Sequence, residues 1–479
     1  SGVVGTKTDS TTGVSTTGTM TKEDTVASTG AYTLSGGELI INGTTFDGKV
    51  AEDTDAKKAN GTITLNSVAK SGTVNGASYT AIAGTFSKLD LNLNVYNAAS
   101  NGTKGDVTIG ADSNDLTIKE GTLKTGTIEG SSTAADKKAG IATITGKNLE
   151  FGVATGTVGD NKEPSATNPG SAYDFDNAAD VKLDVTAAET VKFNKGTITN
   201  AGTMTVTGES GVFVGNQDLT VGKQVTIANT GDLIFTDTTK VDFNADYTAT
   251  AGRLFIESKA NTISGNITAD SLKFGTRITD SDTAKETNQV VITATNSGKN
   301  TIKYGSTVDV KALTVEDAAT TINGTLKAAA TAVTDKTTAG LTVVDTIGTT
   351  GKKQYAAVSL GDITVGSAAS GAQGNTSFTL TNQAENAVEA SSLTVVKNST
   401  TANTFALNAG KFSVGKLTNQ GKVTLTDGEE FTLTGEGANA SGAEITLASS
   451  KEYASLVVAE GASLQNQGSI TATDGEGKI

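Results

Sequence analysis

The chain has 479 residues, and its 37 Lys and Arg against 51 Asp and Glu give a net charge of −14. An acidic surface repels nucleic acid and anionic lipid, so we expect neither among its partners. Histidine and cysteine are both absent. Their absence excludes disulfides, thiolate metal sites and the Ser-His-Asp and Cys-His catalytic arrangements. No apolar run approaches the roughly 18 residues of a membrane-spanning helix, so the sequence predicts none.

The N-terminal third alternates short apolar runs with turn residues. Residues 1–30 are rich in Ser, Thr and Gly, and strand-like runs then follow at 38–41, 44–46, 62–65, 89–93 and 107–109. Alternation at every second position places apolar side chains on one face of a strand and polar ones on the other. The Lys/Ala pieces at 55–59 and 134–138 are too short for stable helices, so we interpret them as loops.

Both prolines of the chain, Pro164 and Pro169, lie in the segment 161–170. Proline interrupts strand pairing, so this segment is predicted to be a loop. We therefore divide the chain into an N-terminal β-rich region (1–160), this Pro-containing loop (161–170) and a β-solenoid (171–479). The first region is either the start of the same solenoid or a separate β-domain. Further loops are predicted where the spacing slips, at 281–300 and 345–356.

Evenly spaced phenylalanines dominate the central third of the chain. They are Phe193, Phe213, Phe235, Phe255 and Phe274, and the steps between them are 20, 22, 20 and 19 residues. A period of about 20 residues with strand-forming residues is typical of β-coils that stack on one another. We predict that the five rings form one stacked ladder inside an all-β, parallel β-solenoid with negligible α-helix. Burying each ring contributes about 1.5–3 kcal/mol.

A second repeated pattern is an apolar residue followed by Asn and Gly at alternating positions. Examples contain Asn200 and Gly202, Asn229 and Gly231, Asn419 and Gly421, and Asn466 and Gly468. We predict that each asparagine occupies a corner in left-handed geometry and stacks its amide on the asparagine of the next coil. The glycine is predicted to remove a β-carbon where the chain turns tightly.

Carboxylates offer the remaining catalytic option, as in glycosidases built on β-helices. The neighbouring pairs are Asp174/Asp176, Asp280/Asp282 and Glu429/Glu430. A solvated acidic surface explains such pairs more simply, and the chain has no Trp and only 8 Tyr with which to hold sugars. We predict that the protein is not an enzyme and keep a polysaccharide-cleaving β-helix as a remote alternative.

Two acidic segments provide oxygen atoms of the kind that calcium prefers. They are Asp112 to Asp115 and Asp174 to Asn177, and neither matches an EF-hand loop. Turns rich in Asp and Asn explain both segments without a metal. We therefore predict no cofactor and no metal site, with calcium as the alternative.

At its Asn-x-Gly repeats the chain resembles the passenger regions of bacterial autotransporters and filamentous-haemagglutinin-like adhesins. The matching stretches are 198–206, 227–235, 417–425 and 464–470. The resemblance implies a right-handed β-helix exported to the bacterial cell surface. It implies a structural or adhesive role, with a host or neighbouring-cell surface, or copies of the chain itself, as the partner. A self-assembling subunit of a surface layer or filament is the main alternative.

Overall fold

In the computed structural model, the structure describes residues 3–8, 15–20, 31–33, 35–43, 45–46, 49–51, 60–70, 73–96, 105–128, 140–154, 170–215, 224–277, 288–317, 319–333, 338–348, 351–367, 375–397, 402–426, 428–448, 453–473 and 477–478. Within these ranges the chain forms strands and no helix, so the all-β prediction is confirmed. The chain divides into two compact units, residues 1–255 and 256–479. Each unit is described separately below.

The strands of unit 1 are β1 (Val3–Thr8), β2 (Ser15–Met20), β3 (Ala31–Thr33), β4 (Ser35–Asn42), β5 (Thr45–Phe46), β6 (Lys49–Ala51), β7 (Asn60–Asn66), β8 (Val68–Lys70), β9 (Thr73–Asn75), β10 (Ala77–Tyr79), β11 (Gly84–Phe86), β12 (Lys88–Tyr96), β13 (Val107–Gly110), β14 (Leu116–Ile118), β15 (Gly121–Ile128), β16 (Ile141–Gly146), β17 (Leu149–Phe151), β18 (Tyr173–Asn177), β19 (Lys182–Ala187), β20 (Thr190–Phe193), β21 (Gly196–Asn200), β22 (Thr203–Gly208), β23 (Gly211–Val214), β24 (Val225–Asn229), β25 (Asp232–Asp237), β26 (Lys240–Phe243) and β27 (Tyr247–Thr248).

The division between the units falls within β28 (Arg253–Ile263). The strands of unit 2 that follow are β29 (Ile267–Phe274), β30 (Gln289–Ile302), β31 (Thr307–Val315), β32 (Thr320–Ile322), β33 (Thr325–Val333), β34 (Thr338–Val343), β35 (Thr346–Ile347), β36 (Lys353–Gln354), β37 (Ala357–Ser359), β38 (Asp362–Val365), β39 (Ser377–Asn382), β40 (Val388–Val395), β41 (Thr404–Ala409), β42 (Lys411–Asn419), β43 (Lys422–Leu425), β44 (Glu430–Asn439), β45 (Glu444–Ala448), β46 (Ala454–Val458), β47 (Ser463–Asn466), β48 (Ser469–Thr473) and β49 (Gly477–Lys478).

Unit 1 is built from parallel coils of three strands each. The strands β18, β19 and β20 pair in parallel with β21, β22 and β23, which are the equivalent strands one coil later. Repetition of this pairing produces three stacks, one of which is the seven-stranded sheet β24-β21-β18-β15-β12-β7-β4. The period-two pattern of the sequence explains why the stacks have an inner and an outer face. In β12, for example, residues alternate strictly between buried and less buried positions.

Parallel coils continue across the predicted Pro-containing loop. The strands β16 and β17 lie before it, and they pair in register with β19 and β20, which lie after it. The described residues on both sides of this loop therefore belong to one run of coils. The prolines themselves lie outside the described residues. The division into units comes after Phe255 and not near residue 160.

Unit 2 also consists of parallel coils, but its strands are longer. One stack runs from β31 through β33 to the pair β37 and β38, and on through β40, β42 and β44 to β46 and β47. Two consecutive exposed residues in the middle of β31 and β33 mark a bend at which one long strand turns from one face to the next. A single bent strand of unit 2 therefore corresponds to two separate strands of unit 1.

Some strands in the described residues pair antiparallel instead. The strand β1 pairs with β2 and β3 near the N-terminus, and the hairpins β8–β9 and β35–β36 extend from coils. The second hairpin lies in the segment 345–356, where the sequence predicted a loop. The other predicted loop, 281–300, is wrong in part because β30 occupies residues 289–302. The consecutive apolar residues Val290, Val291 and Ile292 at its start are all buried.

Candidate functional site

The five phenylalanines do not form the predicted single ladder. The side chain of Phe213 is only partly buried, whereas Phe193 and Phe235 are inside unit 1. Phe193 pairs with Val214, which is 21 residues later, so Phe213 falls one position short and pairs with Lys192. A one-residue offset moves a strand side chain to the opposite face, which is why the ladder prediction is wrong. The Lys240 ammonium lies 4.5 Å from the outward ring of Phe213.

The remaining rings are buried, but their partners differ from those predicted. The rings of Phe193 and Phe235 meet edge to face at a centroid distance of 6.4 Å. Phe255 of unit 1 and Phe274 of unit 2 are 2% and 0% exposed. The coil register places Phe151, not Phe213, against Phe193, with their centroids 5.5 Å apart.

Each unit contains an aromatic cluster that the sequence did not reveal. Rings in each cluster contact one another at centroid distances between 4.9 and 6.4 Å. Their steps along the chain are irregular because loops of different lengths separate the coils. Strand pairing, and not spacing alone, was the signal needed to find them. The members are Phe151, Tyr173, Phe175 and Phe193 in unit 1, and Phe378, Phe405, Phe412 and Phe431 in unit 2.

Asparagine amides stack between successive coils of unit 1, as predicted. The Asn177 Nδ2 donates to Asn200 Oδ1 at 2.8 Å, and the Asn200 Nδ2 donates to Asn229 Oδ1 at 2.8 Å. All three side chains are buried. At one end of the row, the Thr125 hydroxyl donates a hydrogen bond to Asn177 Oδ1 at 2.7 Å. At the other end, the Asn229 Nδ2 donates to the Tyr247 hydroxyl at 3.3 Å. We call this row the unit 1 asparagine stack.

An equivalent row exists in unit 2. The Asn419 Nδ2 donates to Asn439 Oδ1 at 2.8 Å, and the Asn439 Nδ2 donates to Asn466 Oδ1 at 2.7 Å. The sequence prediction missed Asn439 and Asn177 because neither has a glycine two residues later. It also missed an N-terminal row, in which the Asn94 Nδ2 donates to Asn66 Oδ1 and the Asn66 Nδ2 to Asn42 Oδ1.

The predicted left-handed geometry of these asparagines is wrong. Among the described residues other than glycine, positive φ angles occur at Asn288, Asn296 and Ser297. The motif asparagines instead close strands β21, β24, β42 and β47 in extended backbone. The amides of Asn200, Asn229 and Asn419 bond the next coil directly. The Asn200 Nδ2, for example, also donates to the Asp232 carbonyl at 3.0 Å.

The motif glycines are needed for close approach between coils. A β-carbon at Gly231 would lie 1.9 Å from the Gly202 carbonyl oxygen, and one at Gly202 would lie 2.3 Å from the Val181 oxygen. Gly421 and Gly468 have equivalent neighbours, at 2.5 Å from Asn403 O and 2.3 Å from Ala443 O. None of the four has a positive φ angle. Glycine is needed at these positions because its lack of a β-carbon leaves space for the backbone of the neighbouring coil, and not because the positions require a positive φ angle.

Three of the acidic residues considered for catalysis or calcium, Asp112, Asp115 and Asp174, accept hydrogen bonds from neighbouring coils. The Thr197 amide donates to Asp174 Oδ1 at 2.7 Å, and the Asn148 Nδ2 donates to Asp115 Oδ1 at 2.8 Å. The Thr145 hydroxyl donates to Asp112. In the described part of the chain, no three acidic residues are grouped as metal ligands would be. The calcium alternative stays a prediction.

The proposed carboxylate pairs differ in where their members lie. Glu429 is buried at 1% exposure whereas Glu430 is exposed, so the two side chains do not share one surface. Asp174 and Asp176 lie two residues apart in β18, and Asp176 is exposed. Asp280 and Asp282 are outside the described residues.

A charged cluster anchors the β35–β36 hairpin of unit 2. The Lys353 ammonium lies 2.8 Å from Glu385 Oε2 and 3.3 Å from Asp345 Oδ2. The amides of Ala356 and Glu385 each donate to Asp345 at 2.9 Å. Burial alone would raise the pKa of Asp345, but these amide bonds and Lys353 outweigh it and lower that pKa. The hydrogen bond to Glu385 raises the pKa of Lys353. Asp345 and Lys353 therefore stay ionised at neutral pH.

Asp317 of unit 2 differs from Asp345, because the effect of burial on its pKa outweighs the effect of its hydrogen bonds. Burial raises the pKa of Asp317 above its ordinary value of 3.8, although Ala319 and Thr320 donate hydrogen bonds to it. The Asn300 Nδ2 contributes a longer bond of 3.4 Å. The ionised form is therefore poorly accommodated at this position.

Comparisons with known proteins give no relative from which to transfer a role. No family model matches the chain, and neither the curated proteins nor the solved structures contain a significant match. In the part of the chain that the structure describes, no helix is long and apolar enough to cross a membrane.

Replacing Asn200 by Ala is expected to destabilise unit 1 by about 2–4 kcal/mol, because two buried amides each lose a partner. Urea unfolding followed by circular dichroism measures the free energy of unfolding. Thr199→Ala is the matched control, since Thr199 is exposed on the same strand. Equal effects of the two substitutions would contradict a stabilising role for the stack.

Replacing Gly231 by Ala is expected to cost about 1–3 kcal/mol, because the new β-carbon would overlap the Gly202 carbonyl. The same unfolding measurement applies. Gly348→Ala is the control, because there a β-carbon would meet only the flexible Gln354 side chain. A tolerated Gly231→Ala would show that the coils can separate locally.

Replacing Asp317 by Asn is expected to raise the stability of unit 2 at pH 7. A raised folded-state pKa means that stability is fully present below the unfolded-state pKa and is lost as pH rises through the folded-state pKa. The gain should therefore vanish below pH 3.8, the ordinary carboxyl pKa. Thermal unfolding at pH 3 and pH 7 checks this result. Asp309→Asn, an exposed site in β31, accounts for removal of one negative charge from an acidic chain. A gain in stability that does not depend on pH would contradict the raised pKa of Asp317.

Proposed function

We propose that the chain is a non-catalytic, extracellular β-solenoid of the bacterial cell surface that acts as a structural or adhesive protein. We further propose that its coils are right-handed. The observation that carries this proposal is the repetition of parallel coils joined by internal asparagine stacks. These stacks bond one coil to the next through side chains that are buried except for Asn466, so they contribute rigidity along the stack of coils.

The outer surface of the coils supports the same role. In β12 the outward positions carry Asp90, Asn92 and Asn94, while the inward positions carry aliphatic residues. In β19 the Lys182 ammonium lies 3.0 Å from Asp184 on the outside of the coil. A repeated polar surface on a rigid support suits contact with a host or neighbouring-cell surface.

Self-assembly into a surface layer or filament is the second candidate. Strand β46 leaves two consecutive residues, Val457 and Val458, exposed at 38% and 37%. Adjacent exposed valines on a strand provide the kind of surface that another copy of the chain can cover. In that case the partner would be the protein itself.

Adhesion of protein-coated beads to bacterial and host cells tests the first candidate. We expect retention of the beads above that of beads coated with an unrelated acidic, all-β protein. Chemically unfolded protein on the beads should lose the effect, because adhesion depends on the folded coils. Retention equal to that of the unrelated protein would contradict an adhesive role.

Negative-stain electron microscopy of the same preparation separates the two candidates. Isolated particles favour the adhesive or stalk role, whereas lattices or fibres favour the assembling subunit. Val457→Lys is the matched variant, because it should dissolve any assembly that uses β46. Incubation with acidic and neutral glycans tests the remote enzymatic alternative, and cleavage of either would contradict the non-catalytic proposal.

A further inference from the structure

Three tyrosines of unit 2 stand out from the polar surface. Tyr304, Tyr355 and Tyr453 are 50%, 49% and 49% exposed, whereas every phenylalanine of unit 2 within the described residues is buried. Each lies shortly before a strand of the same stack. These strands are β31, β37 and β46, whose first residues are Thr307, Ala357 and Ala454. All three therefore precede strands of one stack, with Tyr355 and Tyr453 at equivalent register positions and Tyr304 one residue out of register, and we call them the tyrosine row.

Strand pairing gives the spacing of the row. Thr307 pairs with Thr325, and Thr325 pairs with Ala357, so Tyr304 and Tyr355 are two coils apart. From β37 the stack passes through β40, β42 and β44 to β46, which places Tyr453 four coils beyond Tyr355. At about 4.8 Å for each step, the intervals are roughly 10 and 19 Å.

Tyr355 has fixed polar groups beside it. The Lys353 ammonium lies 5.4 Å from the centre of the Tyr355 ring. The same ammonium is held by Glu385 and by Asp345, whose side chain is only 5% exposed. Glu385 is 61% exposed on its side chain, so its carboxylate also reaches solvent. A hydrogen-bond donor and an acceptor are thus held next to a half-exposed ring.

We propose that the tyrosine row binds a neutral polysaccharide chain, with Tyr355 as the principal contact. The proposal rests on the proposed adhesive function and gives the chemical class of the partner. Sugar rings present C–H faces that pack on an aromatic ring, and their hydroxyls would bond Lys353 and Glu385. Sites of this type combine aromatic contacts with a few well-placed polar groups. An extended polymer matches contacts spaced along a line.

The arrangement favours a polysaccharide over a protein partner. Protein interfaces concentrate their binding energy in clustered, desolvated residues near the centre of the contact. The tyrosine row instead extends over roughly 29 Å, which is six coil steps of about 4.8 Å. The net charge of −14 disfavours acidic glycans, so a neutral polymer is the expected ligand.

Tyrosine fluorescence of the intact chain provides the test, because the protein has 8 Tyr and no Trp to mask them. The probes are cellohexaose, chitohexaose and mannohexaose. We expect at least one probe to change the emission in a saturable way, and Tyr355→Ala to weaken its binding at least tenfold. The variant with all three tyrosines replaced by alanine should not bind. Isothermal calorimetry on the variants gives the affinities independently of emission.

Ile347→Ala is the matched control, because Ile347 is 77% exposed on the same hairpin and should not affect binding. Tyr355→Leu replaces Tyr355→Ala as the test variant if Tyr355→Ala lacks the circular dichroism spectrum of the folded protein. The proposal is overturned if none of the probes binds at millimolar concentration, or if the triple variant binds as the parent protein does. Adhesion of coated beads without glycan binding would leave the proposed function standing and remove only the tyrosine row.

Discussion

Parallel hydrogen bonding between consecutive coils is the constraint on which this structure depends. It fixes the separation of equivalent residues at about 4.8 Å, so whatever occupies a position in one coil meets its equivalent in the next. An asparagine then meets an asparagine, and its amide both accepts and donates, as at Asn200. The same short distance excludes a β-carbon at Gly231. Stacks and glycines are therefore two results of one backbone spacing.

The inner and outer faces have separate roles. Inside, aliphatic residues, aromatic clusters and asparagine stacks hold the coils together without any disulfide, since the chain has no cysteine. Outside, acidic residues bond the amides and hydroxyls of neighbouring coils, as Asp174 does with Thr197. Because these contacts lie on the outer face, the residues that make them can vary without changing the interior. The surface can therefore carry the proposed glycan contacts beside Lys353 without disturbing the core.

The sequence predicted the strand content, the parallel coils and the amide stacking, because each follows from a local pattern. It placed Phe213 wrongly because a spacing of about 20 residues does not distinguish 20 from 21, and one residue decides the face of a strand. It missed Asn177 and Asn439 because they stack without the following glycine. The grouping of Tyr304, Tyr355 and Tyr453 could be recognised only from the strand pairing, because loops of unequal length separate these residues in the sequence.

The directional bonding of the asparagine stacks has a consequence for how such a chain can change in length. Each internal member receives one hydrogen from the coil before it and gives one to the coil after it. A tandem duplication of one complete coil within a stack would add one donor and one acceptor together, leaving no amide unsatisfied. Insertion of a single residue within a paired strand would instead move the side chains that follow it in that strand to the opposite face. Growth by whole repeats is therefore the change that this architecture tolerates best.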